Sequence, residues 1–245
     1  MTMRVLVACE ESQRVTSELR RLGHEAYSCD IIECSGEHPE WHIKSDVIPL
    51  INGFCSFSTL DGTTHTVFGK WDMIIAFPPC TYLTIAGTRH FSEKCNSPEK
   101  LNERKMLRDK AARFFIQLAN ADCEKIAIEN PVGFMNTHYK KPMQIIEPYY
   151  FAESTNDTEN YVTKRTCLWL KGLSKLKPTI ELPRPAPYGN YLAECGKVKG
   201  ICWVMKVSAS NRKERARLRS ITFKGIAKAM AEQWAGKINK TEKGG

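Results

Sequence analysis

The order of apolar segments predicts an α/β protein with a doubly wound, mainly parallel sheet covered by helices on both faces. Short β-type runs alternate with helical patterns from the start of the chain. The first pair is residues 4–8, Arg-Val-Leu-Val-Ala, and a helical segment that places Val15, Leu19 and Leu22 on one face. The 245 residues, 42% of them hydrophobic, suffice for one sizeable core with a small appendage. Two full domains are not expected.

The remaining elements follow the same alternation. They are predicted as a strand at 25–29 ending in Asp30, a short element before Ser45-Asp46 with an apolar helix ending near Asn52-Gly53, a strand at 71–77 stopped by Pro78-Pro79, a helix from Pro98 to Ala121, strands at 125–129 and 165–170, and helices at 211–219 and 223–235. The predicted core positions of the long helix are Leu101, Met106, Ala111, Phe114, Phe115 and Leu118. Residues 53–70 are interpreted as a surface insertion, and 174–200 as loops or a small irregular subdomain.

The composition favours a protein of the cytoplasm with a polyanionic partner. The formal charge is +9 and the pI is near 9.0, which suits phosphate neutralisation. No stretch approaches the roughly 20 apolar residues of a membrane span, and no secretory signal is recognisable. The 10 cysteines are therefore predicted to be reduced. No structural zinc is expected, because no CxxC pair occurs in the two candidate groups, Cys29, Cys34, His38 and His42, and Cys195 with Cys202.

The residues that follow predicted strands are the candidate functional residues. In open α/β sheets, ligands bind outside the carboxyl ends of the strands. The strand endings in this chain are Cys9-Glu10-Glu11-Ser12, Asp30, Asp46, Pro78-Pro79-Cys80 and Glu129-Asn130-Pro131. The carboxylates of Asp30, Asp46 and Glu129 and the thiol of Cys80 are thereby predicted to converge on one edge of the sheet.

Cys80 and Glu129 carry the predicted chemistry. Two prolines fix the backbone before Cys80 and present its thiol just past a strand. A thiolate of lowered pKa is able to add to C6 of a cytosine and make C5 nucleophilic, and a carboxylic acid such as Glu129 at ring N3 assists the addition. Taken singly, Cys80 is more often a buried cysteine after a turn, and Glu129 a helix cap or a salt-bridged strand end. Their occurrence together, in this order, favours the chemical interpretation.

These two motifs resemble those of the DNA cytosine-5 methyltransferase family, in which a Pro-Pro-Cys loop carries the nucleophile and a later Glu-Asn motif carries the base-protonating glutamate. The resemblance, which is to a small, phage-like member, implies the Rossmann-like fold of S-adenosylmethionine-dependent methyltransferases. It implies S-adenosyl-L-methionine as cofactor, DNA as partner and a cytosine rotated out of the stack. It implies no obligate protein partner. Pro79, Thr81, Asn130 and Pro131 are then expected on the substrate side of the pocket.

The resemblance also implies a cofactor site. Asp30, followed by Ile31, resembles the acidic residue that binds the cofactor ribose, and Asp46, followed by Val47, resembles the aspartate that contacts the adenine amino group. On their own, both aspartates are more often loop caps. The predicted cofactor site also includes Pro78 and the first loop, Cys9, Glu10, Glu11 and Ser12.

The first loop departs from the family pattern because it lacks the usual glycines. The amides at the start of the following helix, with Ser12, are expected to receive the cofactor carboxylate. Glu10 or Glu11 is expected to face its ammonium or sulfonium charge.

Two further segments match the family in part. Lys164-Arg165-Thr166 is similar to its Gln-x-Arg-x-Arg element, which makes Arg165 the candidate for contacting the O2 side of the base or an adjacent phosphate. A surface ion pair is the alternative for Arg165. Residues 225–230, Gly-Ile-Ala-Lys-Ala-Met, resemble the small-residue motif that packs against the cofactor fold at the carboxyl end of the family. An ordinary amphipathic helix is the alternative there.

The resemblance divides the chain into a catalytic and cofactor-binding domain at 1–170, a short target-recognition region at 171–221, and a returning helix with a disordered tail at 222–245. Base-specific readout is therefore expected to be short or absent. The basic segment 206–224 predicts phosphate contacts through Arg212, Arg215 and Arg219, the alternative being a solvated helix without a partner. Two other functions stay open: the same chemistry on RNA or a free pyrimidine nucleotide, and an inactive methyltransferase-like DNA-binding protein.

Overall fold

The computed structural model describes residues 1–93, 96–192, 198–201 and 203–238. The strands are β1 (Arg4–Ala8), β2 (Glu25–Asp30), β3 (His42–Lys44), β4 (Cys55–Ser58), β5 (Thr64–Val67), β6 (Met73–Ala76), β7 (Ile126–Pro131), β8 (Gln144–Ile146), β9 (Thr166–Lys171), β10 (Asn190–Leu192) and β11 (Val198–Gly200). The α-helices are α1 (Arg14–Arg21), α2 (Pro98–Ala119), α3 (Met135–His138), α4 (Trp203–Lys206), α5 (Arg212–Ser220) and α6 (Lys224–Met230), which continues as one π-helical turn, Ala231–Ala235.

A seven-stranded sheet forms the centre of the protein, in the order β3-β2-β1-β6-β7-β9-β8. The five strands β3, β2, β1, β6 and β7 pair in parallel, and β9 runs antiparallel to both of its neighbours, β7 and β8. The central strands are apolar throughout because both of their faces are covered: residues 5–8 and 73–76 are fully buried. The predicted α/β fold with a mainly parallel sheet is confirmed at this level.

Helices pack on both faces of the sheet. On one face Phe115 and Leu118 of α2 join the core that contains Ile74. On the other face Leu19 of α1 and Met230 of α6 join the core that contains Ile75. Ile74 and Ile75 are consecutive residues of β6 that point to opposite faces, as the strand period of two requires.

Some predicted elements differ in detail. Residues 53–70 contain the β4–β5 hairpin, and Phe57 packs its ring against Tyr27 and Trp71. The predicted helix before Asn52 is a short 3-10 turn, Ile48–Leu50. Met106 is 65% exposed, so its assignment to the core was wrong. It lies five residues after Leu101, about 140° around the helix from the buried face.

The other predicted core residues of α2 and the irregular segment also have definite places. Leu101, Phe115 and Leu118 are buried, whereas Ala111 and Phe114 are partly buried against the same core. The segment after residue 173 contains the small antiparallel pair β10–β11. The predicted tail, 240–245, and the pair Cys195 and Cys202 lie outside the described residues.

Within the described ranges, no helix combines the length and apolar content that crossing a bilayer requires. In those ranges, too, no group of three or more His, Cys, Asp and Glu side chains is arranged to bind a metal. His42 of the candidate group Cys29, Cys34, His38 and His42 bonds instead to the Ser28 hydroxyl and the Ile32 carbonyl, at 2.9 Å each. His38 stacks on Trp41, with 3.6 Å between ring centroids.

Helix α6 depends on Gly225 for its close approach to the 3-10 turn at 148–151. A Cβ atom at Gly225 would collide with the backbone carbonyl and the side chain of Phe151. The amide of Gly225 also donates a 2.8 Å hydrogen bond to the side chain of Asn160. The small residue at the start of this helix therefore sets the distance between α6 and the layer beneath it.

Gly225→Ala is expected to lower the free energy of unfolding by about 1–3 kcal/mol, because the added methyl group overpacks the contact with Phe151. Urea denaturation followed by circular dichroism measures the change. Lys224→Ala is the control, since Lys224 is exposed in the same helical turn and its loss should cost less than about 1 kcal/mol. Equal stability of the two variants would contradict the packing argument.

Candidate active site at the carboxyl edge of the sheet

The strand register brings the predicted functional loops to one edge. Ala8 of β1 lies beside both Cys29 of β2 and Ala76 of β6, and Ala76 lies beside Ile128 of β7. The next residues along each strand, Cys9, Asp30, Phe77 and Glu129, therefore emerge at the same level. The predicted convergence of strand endings is present in the structure.

The Pro78–Cys80 loop is held in place by the loop that follows β7. The side-chain amide of Asn130 donates a 2.8 Å hydrogen bond to the carbonyl of Pro78, and both residues are buried. Farther along, the amide of Ile85 bonds to the carbonyl of Val132, and the amide of Phe134 to that of Leu83, at 3.1 and 2.7 Å. The nucleophile loop and the Glu-Asn-Pro loop thus form one paired unit.

Gly133 makes this pairing possible. A Cβ atom at Gly133 would collide with the carbonyl of Leu83, which is the acceptor for Phe134. The carbonyl of Cys80 also accepts from the amides of Leu83 and Thr84, at 2.9 and 3.1 Å, which closes a turn directly after the thiol. Cys80 is therefore fixed on both sides, as the two prolines predicted.

The thiol of Cys80 and the carboxyl of Glu129 interact with each other and with Lys164. Burial and the Glu129 charge raise the pKa of Cys80, whereas the Lys164 ammonium group lowers it. Burial raises the pKa of Glu129, against the lowering effects of Lys164 and of a hydrogen bond from Thr166. A raised pKa favours the protonated acid, and a protonated Glu129 no longer opposes ionisation of Cys80.

Lys164, not Arg165, is the cation at this pair. Arg165 is exposed, and its charge acts on Glu147 and Cys167. Lys164 lines the same cavity as Glu129 and donates a 2.8 Å hydrogen bond to the carbonyl of Arg219. The expected role of Arg165 at the base is therefore not supported. The sequence did place a basic pair at the start of β9, but not which member turns inward.

The cavity beside Glu129 is small in this conformation, with a volume of about 10 Å³. That is space for about one water molecule and not for a pyrimidine. The wall opposite Glu129, Lys164 and Thr166 is formed by the link between α5 and α6 and by the start of α6: Ser220, Thr222, Phe223 and Ile226.

The first loop takes up a glycine-like backbone without glycine. Cys9 and Gln13 have φ values of 59° and 56°, in the left-handed region. Gln13 is stabilised there by its side chain, which donates to the Ser28 hydroxyl and the His38 carbonyl and accepts from the His38 amide. The close turn expected of glycine is thus reached by side-chain hydrogen bonds.

Glu10 caps α1, which corrects two predictions for this loop. Its carboxylate accepts from the amides of Val15 and Thr16, at 2.6 and 3.2 Å, and from the Thr16 hydroxyl at 2.7 Å. The amides expected to receive a cofactor carboxylate are therefore occupied. Glu10 itself is buried against the helix and does not face a cofactor ammonium or sulfonium group.

The carboxylates of Asp30 and Asp46 act on Cys9 across the ends of β1, β2 and β3. Together with burial, their charges raise the pKa of the Cys9 thiol. Each aspartate also caps a turn, Asp30 through the amide of Ile32 at 3.3 Å and Asp46 through the amide of Ile48 at 3.0 Å. Both aspartates therefore have the loop-cap role that was the alternative to cofactor binding, and both also act on Cys9.

The neighbours of these aspartates differ in exposure. Ile31 is 74% exposed beside Asp30, as a contact for a ligand requires. Val47 is 4% exposed and belongs to the core, so its side chain supports the site from beneath.

Glu11 and the basic helix α5 meet across the first loop. Arg217 lies 3.5 Å from the Glu11 carboxylate and also binds Glu214 through two nitrogens, at 2.9 and 2.7 Å. Arg212 and Arg215 are exposed, and Arg219 is half-buried. Of the predicted phosphate contacts, Arg212 and Arg215 are thus open to solvent.

The remaining predicted residues border the paired loops. Ser12 is half-buried in the first loop. Pro79 and Thr81 are exposed on either side of Cys80, and Pro131 ends β7 opposite Thr166. Pro78 is buried beneath the loop, where its carbonyl accepts the Asn130 hydrogen bond.

Glu10 should make stability depend on pH. Burial raises its pKa from 4.5 to about 7, so the folded state binds the proton more tightly than the unfolded chain does. Its contribution to the free energy of unfolding should therefore fall by about 3 kcal/mol as the pH rises from below 4.5 to above 7. Glu10→Gln should flatten this slope in chemical denaturation.

Thr16→Val is the control for Glu10→Gln, because it removes one hydrogen bond to Glu10 and keeps the titrating carboxyl. It should retain the pH slope. A Gln variant whose slope equals that of the wild type would exclude Glu10 as its source.

Lys164→Met should raise the pH at which Cys80 becomes reactive, because the ammonium group that lowers the thiol pKa is lost. The rate of iodoacetamide labelling of the Cys80 peptide, followed by mass spectrometry against pH, measures the shift. Lys164→Arg should restore the wild-type direction. Lys224→Met, which removes an exposed lysine paired with Glu159, is the control. An unshifted profile for Lys164→Met would remove Lys164 from the site.

A scan against protein-family models and a search of curated proteins each give no match for this chain. The function of the carboxyl-edge site is therefore inferred from its own side chains.

Proposed function

We propose that this protein is a DNA cytosine-5 methyltransferase in which Cys80 is the nucleophile and Glu129 the acid at ring N3. The observation that carries the proposal is the electrostatic interaction of the Cys80 thiol with Glu129 and Lys164, at the carboxyl ends of β6 and β7. A thiol, an acid of raised pKa and a cation are the groups that nucleophilic addition to a pyrimidine uses.

The residues divide the work as follows. Cys80 adds as the thiolate to C6, which makes C5 nucleophilic, while Glu129 gives or shares a proton at N3. Lys164 favours the thiolate by its charge, and the Asn130 bond to Pro78 holds the Cys80 loop against Glu129. Once a bound cofactor had supplied a methyl group to C5, a base or water would take the C5 proton, and the C6–S bond would break to release the Cys80 thiolate.

The carboxyl ends of β1 to β3 fit one half of S-adenosyl-L-methionine. Asp30 and Asp46 offer acceptors for ribose hydroxyls and an exocyclic amine, and Ile31 offers an exposed apolar side chain beside them. The left-handed Cys9 brings the backbone close to the same position. Bound there, the cofactor would supply an electrophilic methyl group. Its carboxylate has to bind elsewhere than at α1, whose amides Glu10 occupies.

A cytosine enters this site only if the link between α5 and α6 moves. The present cavity of about 10 Å³ is closed by Ser220, Thr222, Phe223 and Ile226. None of the residues of α5, Arg212–Ser220, is buried. The polar contacts that the movement would have to break include Lys164 to the Arg219 carbonyl and Arg217 to Glu11. Opening would release Lys164 toward the base.

DNA is the polyanion that the charge distribution suits. The net charge of +9 is accompanied by exposed Arg212, Lys213 and Arg215 on the outer side of α5. Phosphate contacts through these residues release counterions and make binding depend on salt. Base-specific contacts remain limited by the short segment between β9 and α6.

Purified protein incubated with labelled S-adenosylmethionine and DNA should form 5-methylcytosine, measured by mass spectrometry of the digested nucleosides. Cys80→Ala should abolish the product. Glu129→Gln should lower the rate about 10²–10⁴-fold, because it removes the proton donor at N3. Cys55→Ala, at a half-buried cysteine of the β4–β5 hairpin, and Glu124→Gln, exposed before the start of β7, are matched controls.

The same assay separates the alternatives. Product formed only on RNA or on cytidine nucleotides would assign the chemistry to another substrate. DNA binding without product on any of these would favour the inactive DNA-binding protein and would contradict the proposal.

A further inference from the structure

A column of alternating aromatic rings and guanidinium groups follows the nucleophile loop. The guanidinium of Arg104 lies 5.4 Å from the ring centroid of Tyr82 and 5.3 Å from that of Phe91. That of Arg108 lies 4.1 Å from Phe91 and 4.4 Å from Phe134. The column joins the loop after Cys80 to α2 and to the loop after β7.

A cavity of about 310 Å³ opens beside this column. It reaches the size at which small-molecule sites begin, about 300 Å³. Its lining combines aromatic rings, hydroxyl groups, one cation and aliphatic side chains. The lining residues are Tyr82, Thr84, Ile85, Thr88, Phe91, Arg108, Val132, Gly133 and Phe134. It is thus shaped by the same paired loops that hold Cys80 and Glu129.

Both guanidinium groups of the column have a hydrogen-bond donor without an acceptor among the described residues. The Nε atoms of Arg104 and Arg108 are buried, and neither finds a hydrogen-bond acceptor in the part of the chain that the structure describes. A buried donor without an acceptor is unfavourable, and Arg108 lines the cavity, so its guanidinium group favours a cavity ligand that supplies acceptor atoms. Pyrimidine carbonyls and phosphate oxygens are such acceptors.

We propose that this cavity binds a second, unstacked nucleobase, so that the preferred substrate is single-stranded DNA. The inference rests on the proposed function for the identity of its substrate. Aromatic rings with interleaved arginines are the platform on which bases of a single strand stack, because every base presents a π face. In a duplex, both faces of a base are covered by its neighbours and its pairing edge is used.

The position of the cavity fits a base next to the target. Thr84 lines the cavity and donates its amide to the carbonyl of Cys80, at 3.1 Å. Four residues of chain span at most about 14 Å, so the cavity lies within a short stretch of strand from the thiol. The short recognition segment after β9 offers few groups for reading a duplex groove. Stacking of neighbouring bases supplies the affinity that such readout would otherwise give.

Fluorescence anisotropy with a labelled oligothymidylate tests the inference, because a strand without cytosine binds independently of the chemistry at Cys80. The wild type should bind it more tightly than a duplex of equal length at the same salt concentration. Phe91→Leu, which keeps an apolar side chain but loses the ring face, should weaken single-strand binding about tenfold. Arg108→Lys, which keeps the charge but loses the planar stack and the Nε donor, should weaken it similarly.

Met106→Ala is the control, since Met106 is exposed on the same helix outside the cavity. Far-ultraviolet circular dichroism verifies that each variant is folded. Tighter binding of the duplex, or unchanged single-strand binding by both Phe91→Leu and Arg108→Lys, would overturn the inference. Absence of 5-methylcytosine in the product assay would instead refute the proposed function, so the two failures are separate.

Discussion

The hydrogen bond from the Asn130 side chain to the Pro78 carbonyl fixes the geometry on which the candidate site depends. Strand pairing alone does not fix the relative position of the two loops that follow β6 and β7, so these loops have no intrinsic reason to keep one arrangement. This bond, and the backbone bonds between residues 83–85 and 132–134, give them one. The side-chain oxygen of Asn130, Oδ1, is buried without a partner among the described residues, which costs about 1–3 kcal/mol. A polar side chain kept at that cost is better explained by the position it imposes than by stability.

The electrostatics of the pair follow from that fixed position. Burial favours the neutral forms of both Glu129 and Cys80, and the Glu129 charge further disfavours ionisation of Cys80. Lys164 lies two residues before the neighbouring strand β9, and its ammonium group favours one negative charge at the pair. The site is thus suited to holding one proton between a thiol and an acid, which is what addition to a protonated ring requires.

The sequence predicted the sheet and the strand endings because these depend on local patterns. Apolar runs of strand length stopped by proline identified β6 and β7, and thereby placed Cys80 and Glu129 at one edge. The role of Glu10 could not be predicted from local patterns, because it depends on the left-handed backbone of Cys9 and Gln13. Neither position is a glycine, so the sequence gives no sign of that backbone conformation. Lys164 was missed for another reason. Both Lys164 and Arg165 precede β9 in a segment without regular structure, so no strand periodicity in the sequence indicates which of the two side chains turns toward Glu129.

Helix α5 lies between the proposed phosphate-binding surface and the cavity at Glu129. Its outer side presents Arg212 and Arg215 to solvent, while its inner side holds the first loop through Arg217 and the base pocket through the Arg219 carbonyl. Phosphates bound on the outer side would pull on the same short helix whose inner contacts with Lys164 and Glu11 keep the cavity at Glu129 closed. Since no residue of α5 is buried, polar contacts such as these contribute more to its position than a hydrophobic interface does. In the proposed function, a polyanion bound to Arg212 and Arg215 would therefore act on the helix that closes this pocket.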